Sequence, residues 1–189
     1  NLRSQLNPHF MFNAMNSIRA LVDENPVQSK KAITQLSNIL RNALVYSKSE
    51  EITIKKELAV VEDYLNLEKI RYEERLEIIK NIDSDCLELK IPPLLIQTLV
   101  ENGIKHGISK LMKGGFINLT ISKENKILII RIINSGKIVE NSISETGIGV
   151  KNTIKRLELK YGKKASFSLI DSKDNTVITE VKIPIENTN

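Results

Sequence analysis

The sequence predicts an α+β fold: an N-terminal helical hairpin, then a mixed, mostly antiparallel sheet covered by helices on one face. Two observations lead there. Residues 1 to about 75 carry apolar side chains at helical spacing. From about residue 76 onward, short β-branched runs are mixed with helical stretches, in the order strand, helix, two strands, loop, helix, two strands. An antiparallel sheet covered in this way leaves room for a ligand between the helices and under the long loop.

In the first helix, Leu6, Phe10, Ala14, Ser17, Ile18 and Leu21 recur at helical spacing. Pro8 lies inside this pattern. It removes one backbone bond and crowds the Ser4 carbonyl, so a kink or break is expected just before His9. "DENP" ends the segment, and Pro26 suits the first position of the next helix. There Val27, Ile33, Leu36, Ile39, Leu40, Ala43 and Leu44 form one amphipathic stripe. The short connection makes an antiparallel hairpin. A hairpin cannot cover two apolar stripes alone, so a second copy is the expected partner, giving a four-helix bundle in a homodimer. A third helix, Lys55 to Arg75, packs through Leu58, Val61 and Leu65.

"LEIIKNI" (residues 76–82) reads as a strand. The stretch from Pro92 begins with two prolines and turns helical, with Leu95, Leu99 and Ile104 on one side. "GGFINLTISKENKILIIRII" (114–133) reads as a hairpin turning at "KENK". "NSGKIVENSISETGIG" (134–149) is loop-like, and "VKNTIKRLELKYG" (150–162) is a helix stopped by Gly162. "ASFSLI" and "TVITEVKIPI" make a last hairpin around "DSKDN".

Composition narrows the function. The 189 residues are 41% apolar and 27% charged, an ordinary globular balance. Aromatics are 4% with no tryptophan, which argues against a ring-built base-stacking surface. The net charge of +5 fits an anionic ligand, a membrane surface or nucleic acid. The lysines are interleaved with glutamates in "KKELAVVEDYLNLEKIRYEER", which reads as a solvated face. Cys86 is the only cysteine, so an internal disulfide and a cysteine zinc site are out, and a reducing cytosol suits the chain. With two histidines, a histidine-rich metal centre is out too. No apolar run approaches a membrane span. The chain starts with Asn1 inside a helical pattern, so an upstream part, a membrane-bound sensor, is expected.

Three constellations carry possible chemistry. In "QLNPHFMFN", Gln5, His9 and Asn13 are four apart, with Asn16 three further on. A neutral imidazole is a nucleophile near neutral pH, and a neighbour four residues away can fix its tautomer. A capping or core histidine is the other reading. In "ENGIKHG", Asn102, Lys105 and His106 fall within about one turn. An amide oxygen can ligate a magnesium ion that holds phosphate oxygens, and a lysine can neutralise phosphate charge. A polar helix end with a glycine stop is the alternative. In "ETGIGVKN", Gly147, Gly149 and Asn152 lie where a loop enters a helix, a setting in which backbone N–H groups approach phosphate. The pattern is neither a Walker motif nor a Rossmann fingerprint.

Together, "NPHFMFN", "PPLLIQTLVENGIKHG" and "GIGVKNTIKRLELKYG" resemble the LytS/YehU-type sensor histidine kinases, over essentially the whole chain. The resemblance implies a helical dimerisation and phosphoacceptor region (residues 1–50) joined to a Bergerat-type ATP-binding domain (51–189), an α/β sandwich. It implies ATP with Mg2+ as cofactors and a response-regulator aspartate as phosphate acceptor. It also implies a cytoplasmic domain of a membrane-anchored sensor, with no direct nucleic-acid partner. His9 then matches the phosphoacceptor and Asn13 its orienting neighbour. Asn102 matches the magnesium-bridging asparagine, and Lys105 and His106 lie by the phosphates. Gly147 and Gly149 match the glycine box, with Asn152 beside it. Asn134 and Gly136 stand where the family reads adenine with an aspartate–x–glycine, and Lys137 to Thr146 is the ATP lid.

Three positions depart from related patterns. Asn134 replaces the adenine-reading aspartate and accepts a hydrogen bond without charge assistance, so weak ATP binding is expected. Phe10 occupies the position where many histidine kinases carry an acidic general base. Thr98 stands where gyrase-like ATPases carry a water-activating glutamate, which favours transfer over hydrolysis. Two other readings are a nucleotide-binding interaction module without kinase activity and a basic dimer for nucleic acid or membrane. The latter would use Lys151, Lys155, Arg156, Lys160, Lys163 and Lys164.

Overall fold

The structure, a computed structural model, describes residues 8–46, 49–138, 148–172 and 174–185. Along the chain lie α1 (Pro8–Glu24), α2 (Pro26–Tyr46), β1 (Ile52–Thr53), α3 (Ile54–Tyr72), β2 (Leu76–Ile82), β3 (Lys90–Ile91), α4 (Leu95–His106), β4 (Gly115–Glu124), β5 (Ile127–Ser135), α5 (Ile148–Tyr161), β6 (Ser166–Ser172) and β7 (Thr176–Pro184). The expected kink at Pro8 depends on residues outside the described ones, as do Gln5 and Leu6.

Helix α2 begins as its sequence prescribes. The Asn25 side-chain oxygen accepts the Gln28 N–H at 3.0 Å, and Pro26 fills the first helical position. Its inward face differs from the expected stripe. Leu36, Ile39 and Ala43 are buried, but with Ser29, Ala32 and Gln35 rather than with Val27, Ile33 and Leu44, which are exposed. Packing between α1 and α3 selects the arc of small and medium side chains and leaves the remaining apolar residues of a wider stripe outside. On α1, Phe12 and Met15 are exposed in the same way.

Helix α3 corrects a second expectation. "KKELAVVEDYLNLEKIRYEER" is not simply a solvated face: Glu57 is 1% exposed and Glu68 is 3% exposed. Both lie at helical spacing with Val61, Tyr64, Leu65 and Tyr72 on the buried side, so the helix carries them inward with its apolar stripe. The exposed lysines and glutamates occupy the opposite side.

The main sheet has the order β2-β4-β5-β7-β6, with β2 and β4 parallel and all other neighbours antiparallel. Alternation puts Ile117, Leu119 and Ile121 of β4 on the covered face with Leu128, Ile130 and Ile132 of β5. Asn134 continues that alternation, opposite Ile117 on β4 and Val177 on β7. The β4–β5 turn is tight, with Asn125 and Lys126 both at positive φ. A two-stranded sheet of β1 and β3 was not foreseen, because two-residue strands have no period to read. One cluster of buried apolar side chains runs from Phe10 and Leu36, through α3 and α4, to Val181 and Ile183. Among the described residues, no helix is long and apolar enough to cross a membrane.

Candidate active site

Helix α4 is the element on which the separated motifs converge. It carries Thr98, Glu101, Asn102, Lys105 and His106, and it packs on α3, on α5 and on strands β4 and β5. Asn102 and His106 are half-buried and Lys105 is exposed.

Asn134 reaches the underside of this helix from the end of β5. It is 2% exposed, and its amide nitrogen donates to the Ser135 carbonyl at 3.0 Å. Gly103 makes this approach possible, since a Cβ there would stand 3.0 Å from Asn134 Oδ1. One turn on, Gly107 and Gly136 bring two backbones together: a Cβ on Gly136 would lie 2.9 Å from the Gly107 Cα, and Gly136 has φ +127. The "NSG" and "ENGIKHG" motifs are thus in van der Waals contact although a whole hairpin strand pair separates them in sequence.

The third motif meets α4 one turn before Asn102. A Cβ on Gly149 would lie 3.2 Å from the Thr98 methyl, so glycine lets the first turn of α5 close on α4. Asn152 is exposed in that same turn. Gly147 and lid residues 139–146 lie outside the described residues. Lys137 and Ile138 are described, and the Ile138 N–H donates to Asp171 at 3.0 Å.

His9 and Asn13 occupy a different helix. His9 is exposed on α1, and Asn13 Nδ2 lies 3.1 Å from His9 Nδ1 and 3.4 Å from Nε2. The next residue, Phe10, points the other way: it is buried, and its ring packs on Tyr64 of α3 with centroids 4.7 Å apart. Phe10 therefore anchors the helix while His9 faces solvent. Helix α3 is the shared neighbour of α1 and α4.

Sequence reasoning missed the buried acids between α3 and α4. The signal was present, because Glu57 and Glu68 are in phase with Tyr64 and Tyr72. Burial pushes Glu57 up to about 7, against the pull of the Gln97 and Ile96 N–H groups and Arg156. Glu101 is also pushed up to about 7, first by burial, then by the Glu68 charge, while it accepts from Gln97 Nε2 at 2.8 Å. These shifts have a definite consequence for stability. A carboxyl whose native pKa is raised binds more protons when folded, so stability falls as pH rises from the ordinary value through about 7. For Glu57 this amounts to about 2–3 kcal/mol between about pH 5 and pH 8. Urea unfolding across that range should show the loss, and a Glu57→Gln variant should flatten it.

Comparisons with known proteins bear on the family and the fold. A family profile described as "Histidine kinase" matches residues 1–76. The chain is 35% identical over 190 aligned positions to Sensor protein LytS of Staphylococcus haemolyticus, covering 94% of this chain and 32% of that protein. It thus spans about a third of the length of the curated relative. Among solved structures, the histidine kinase domain of the Erythrobacter litoralis EL346 blue-light activated histidine kinase matches with a TM-score of 0.58 at 14% identity, covering 94% of this chain and 93% of that one. The histidine kinase ThkA in complex with response regulator protein TrrA matches with a TM-score of 0.53 at 17% identity, covering 95% of this chain and 60% of that one. At these identities the solved structures speak for the fold, and the match to LytS, over about a third of that protein, makes the chain similar to the LytS-type histidine kinases.

Proposed function

We propose that this chain is the catalytic core of a two-component sensor kinase, phosphorylating His9 with ATP and Mg2+ and passing the phosphoryl group to an aspartate of a response regulator. The observation that carries the reading is the packing of Asn134–Gly136 and Gly149 on the one helix that carries Asn102, which has α3 as a neighbour in common with the histidine helix. Residues 1–50 serve as the dimerisation and phosphoacceptor region and 51–189 as the nucleotide-binding domain of a homodimeric, membrane-anchored protein. The exposed Phe12, Met15, Ile33 and Leu44 on α1 and α2 support pairing with a second copy.

The residues present suit ATP and magnesium. Among the described residues no group of three His, Cys, Asp or Glu could hold a metal alone. One half-buried amide oxygen suits an ion that arrives with phosphate oxygens and waters. Asn102 would hold magnesium, Lys105 and His106 would balance phosphate charge, and Gly147 and Gly149 would admit the phosphates to the start of α5. When bound, ATP supplies the γ-phosphoryl group and magnesium neutralises its oxygens.

His9 uses one ring nitrogen as nucleophile while Asn13 holds the other. Turning the Asn13 amide by half a rotation presents its oxygen, which keeps the proton on Nδ1 and the lone pair on Nε2. A neutral imidazole needs no base to attack, which accounts for Phe10. Once the nitrogen–phosphorus bond forms and the β–γ bridging bond breaks, the proton on the other nitrogen passes to water, because the ring is exposed.

The test is incubation with γ-labelled ATP and magnesium. Label should appear, be acid-labile and base-stable, and vanish in His9→Gln. Nucleotide binding without label would favour an interaction module, a reading supported by the uncharged Asn134. That residue gives a separate prediction. Asn134→Asp should tighten nucleotide binding about tenfold by charge assistance. It should also lower stability without nucleotide by about 1–3 kcal/mol, because it buries a charge and removes the donor to Ser135. Calorimetric titration and thermal melts check the two signs.

A further inference from the structure

Glu57 sits on α3, outside all three motifs, yet it touches the start of the helix that carries Asn102. Its Oε1 accepts the backbone N–H of Ile96 at 2.5 Å and of Gln97 at 3.2 Å. These are among the N–H groups that the first turn of a helix leaves without intrahelical partners. The residue before α4, Leu94, is at φ 62 and makes no side-chain cap. Helix α4 is therefore capped from another helix rather than by its own sequence.

The charge of the same carboxylate also acts on α5. Glu57 Oε2 and Arg156 Nε are both buried without a hydrogen-bond partner among the described residues, and the two charges act on each other through space. One turn further along α5, Lys160 pairs with Glu51 at 2.9 Å, and the Tyr161 hydroxyl donates to Glu51 at 3.5 Å. Glu51, just before β1, thus ties the end of α5 to the segment that leads into α3. On α2, burial and then the Glu57 charge push the Tyr46 hydroxyl up.

We propose that Glu57 is a positioning residue for phosphoryl transfer: by holding the N-terminus of α4 and attracting Arg156 of α5, it lets α3 set the relative pose of the two helices that frame the nucleotide. This rests on the nucleotide site proposed above. The two tasks need different things. The cap needs an acceptor oxygen, which Gln retains. The hold on α5 needs negative charge, which Gln lacks.

The variants Glu57→Gln, Arg156→Met, their double and Glu57→Ala decide it, measured by calorimetric ATP–magnesium binding, thermal melts and amide exchange at Ile96 and Gln97. Glu57→Gln should melt at or above the wild-type temperature, because a buried charge is gone, and still bind nucleotide about tenfold more weakly. A purely structural residue would move both readouts in the same direction. Arg156→Met should weaken binding similarly, and the double variant no further, because both remove one interaction. Glu57→Ala alone should speed exchange at Ile96 and Gln97. Wild-type affinity in Glu57→Gln, or fully additive losses in the double, would overturn the proposal. If the wild-type chain binds no nucleotide, the functional reading fails on its own; unchanged exchange in Glu57→Ala would then reject the role of Glu57 in holding α4, and faster exchange would retain it.

Discussion

A Gly107→Ala variant should lose about 3 kcal/mol of stability or more, and nucleotide binding with it. The cause is steric and local. The added methyl would press on the Asn134 amide, lie 2.5 Å from the Ser135 carbonyl oxygen and 2.6 Å from the Gly103 carbonyl oxygen. Two of these neighbours are backbone, and the Gly107 N–H is itself bonded to Gly103 at 3.0 Å, so neither can retreat without unwinding the end of α4. Relief requires the end of β5 to move away from α4, which separates Asn134 and Gly136 from Asn102. In thermal melts the loss corresponds to roughly 6–12 °C. A melt within a degree or two of wild type would mean that the two backbones are not in contact.

Asn102→Ala should do the opposite: leave the fold intact and remove the reaction. Asn102 is half-buried on an interior turn of α4, and alanine is the best helix former, so the melting temperature should stay close to wild type. The amide oxygen is the single protein donor assigned to magnesium, and loss of one preorganised electrostatic contact to a transferring group costs on the order of 100-fold in rate. Initial rates of label incorporation at matched nucleotide and magnesium would show it. A variant that transfers as fast as wild type would take the metal away from Asn102.

The contrast between these two positions indicates what the sequence could and could not disclose. Helix and strand existence came from apolar period, and the hairpin turn, the Gly162 stop and the Pro26 start came from local residue chemistry. The strand runs further than that reading: Asn134, at the start of the stretch read as a loop, belongs to β5 and lies on the covered face, in phase with Ile130 and Ile132. Three things depended on distant partners. Glu57 is in phase with the apolar stripe, but its role as a cap is set only by the first N–H groups of α4, which come to it from elsewhere in the chain. The inward arc of α2 was fixed by its neighbours on both sides. The β1–β3 pair joins segments that carry too few residues for any period.

The α1 helix shows the same division. That His9 and Asn13 lie one turn apart follows from spacing alone. That Phe10 anchors α1 against Tyr64 follows only from the packing of α1 on α3.

Mapping the modified residue decides whether His9 itself receives the phosphoryl group. Protein incubated with ATP and magnesium, digested at neutral to alkaline pH and sequenced by electron-transfer mass spectrometry, should carry phosphate on the peptide around Asn7 to Asn13, localised to His9. Phosphate found on any other residue, or its persistence in His9→Gln, would take the phosphoacceptor role away from His9.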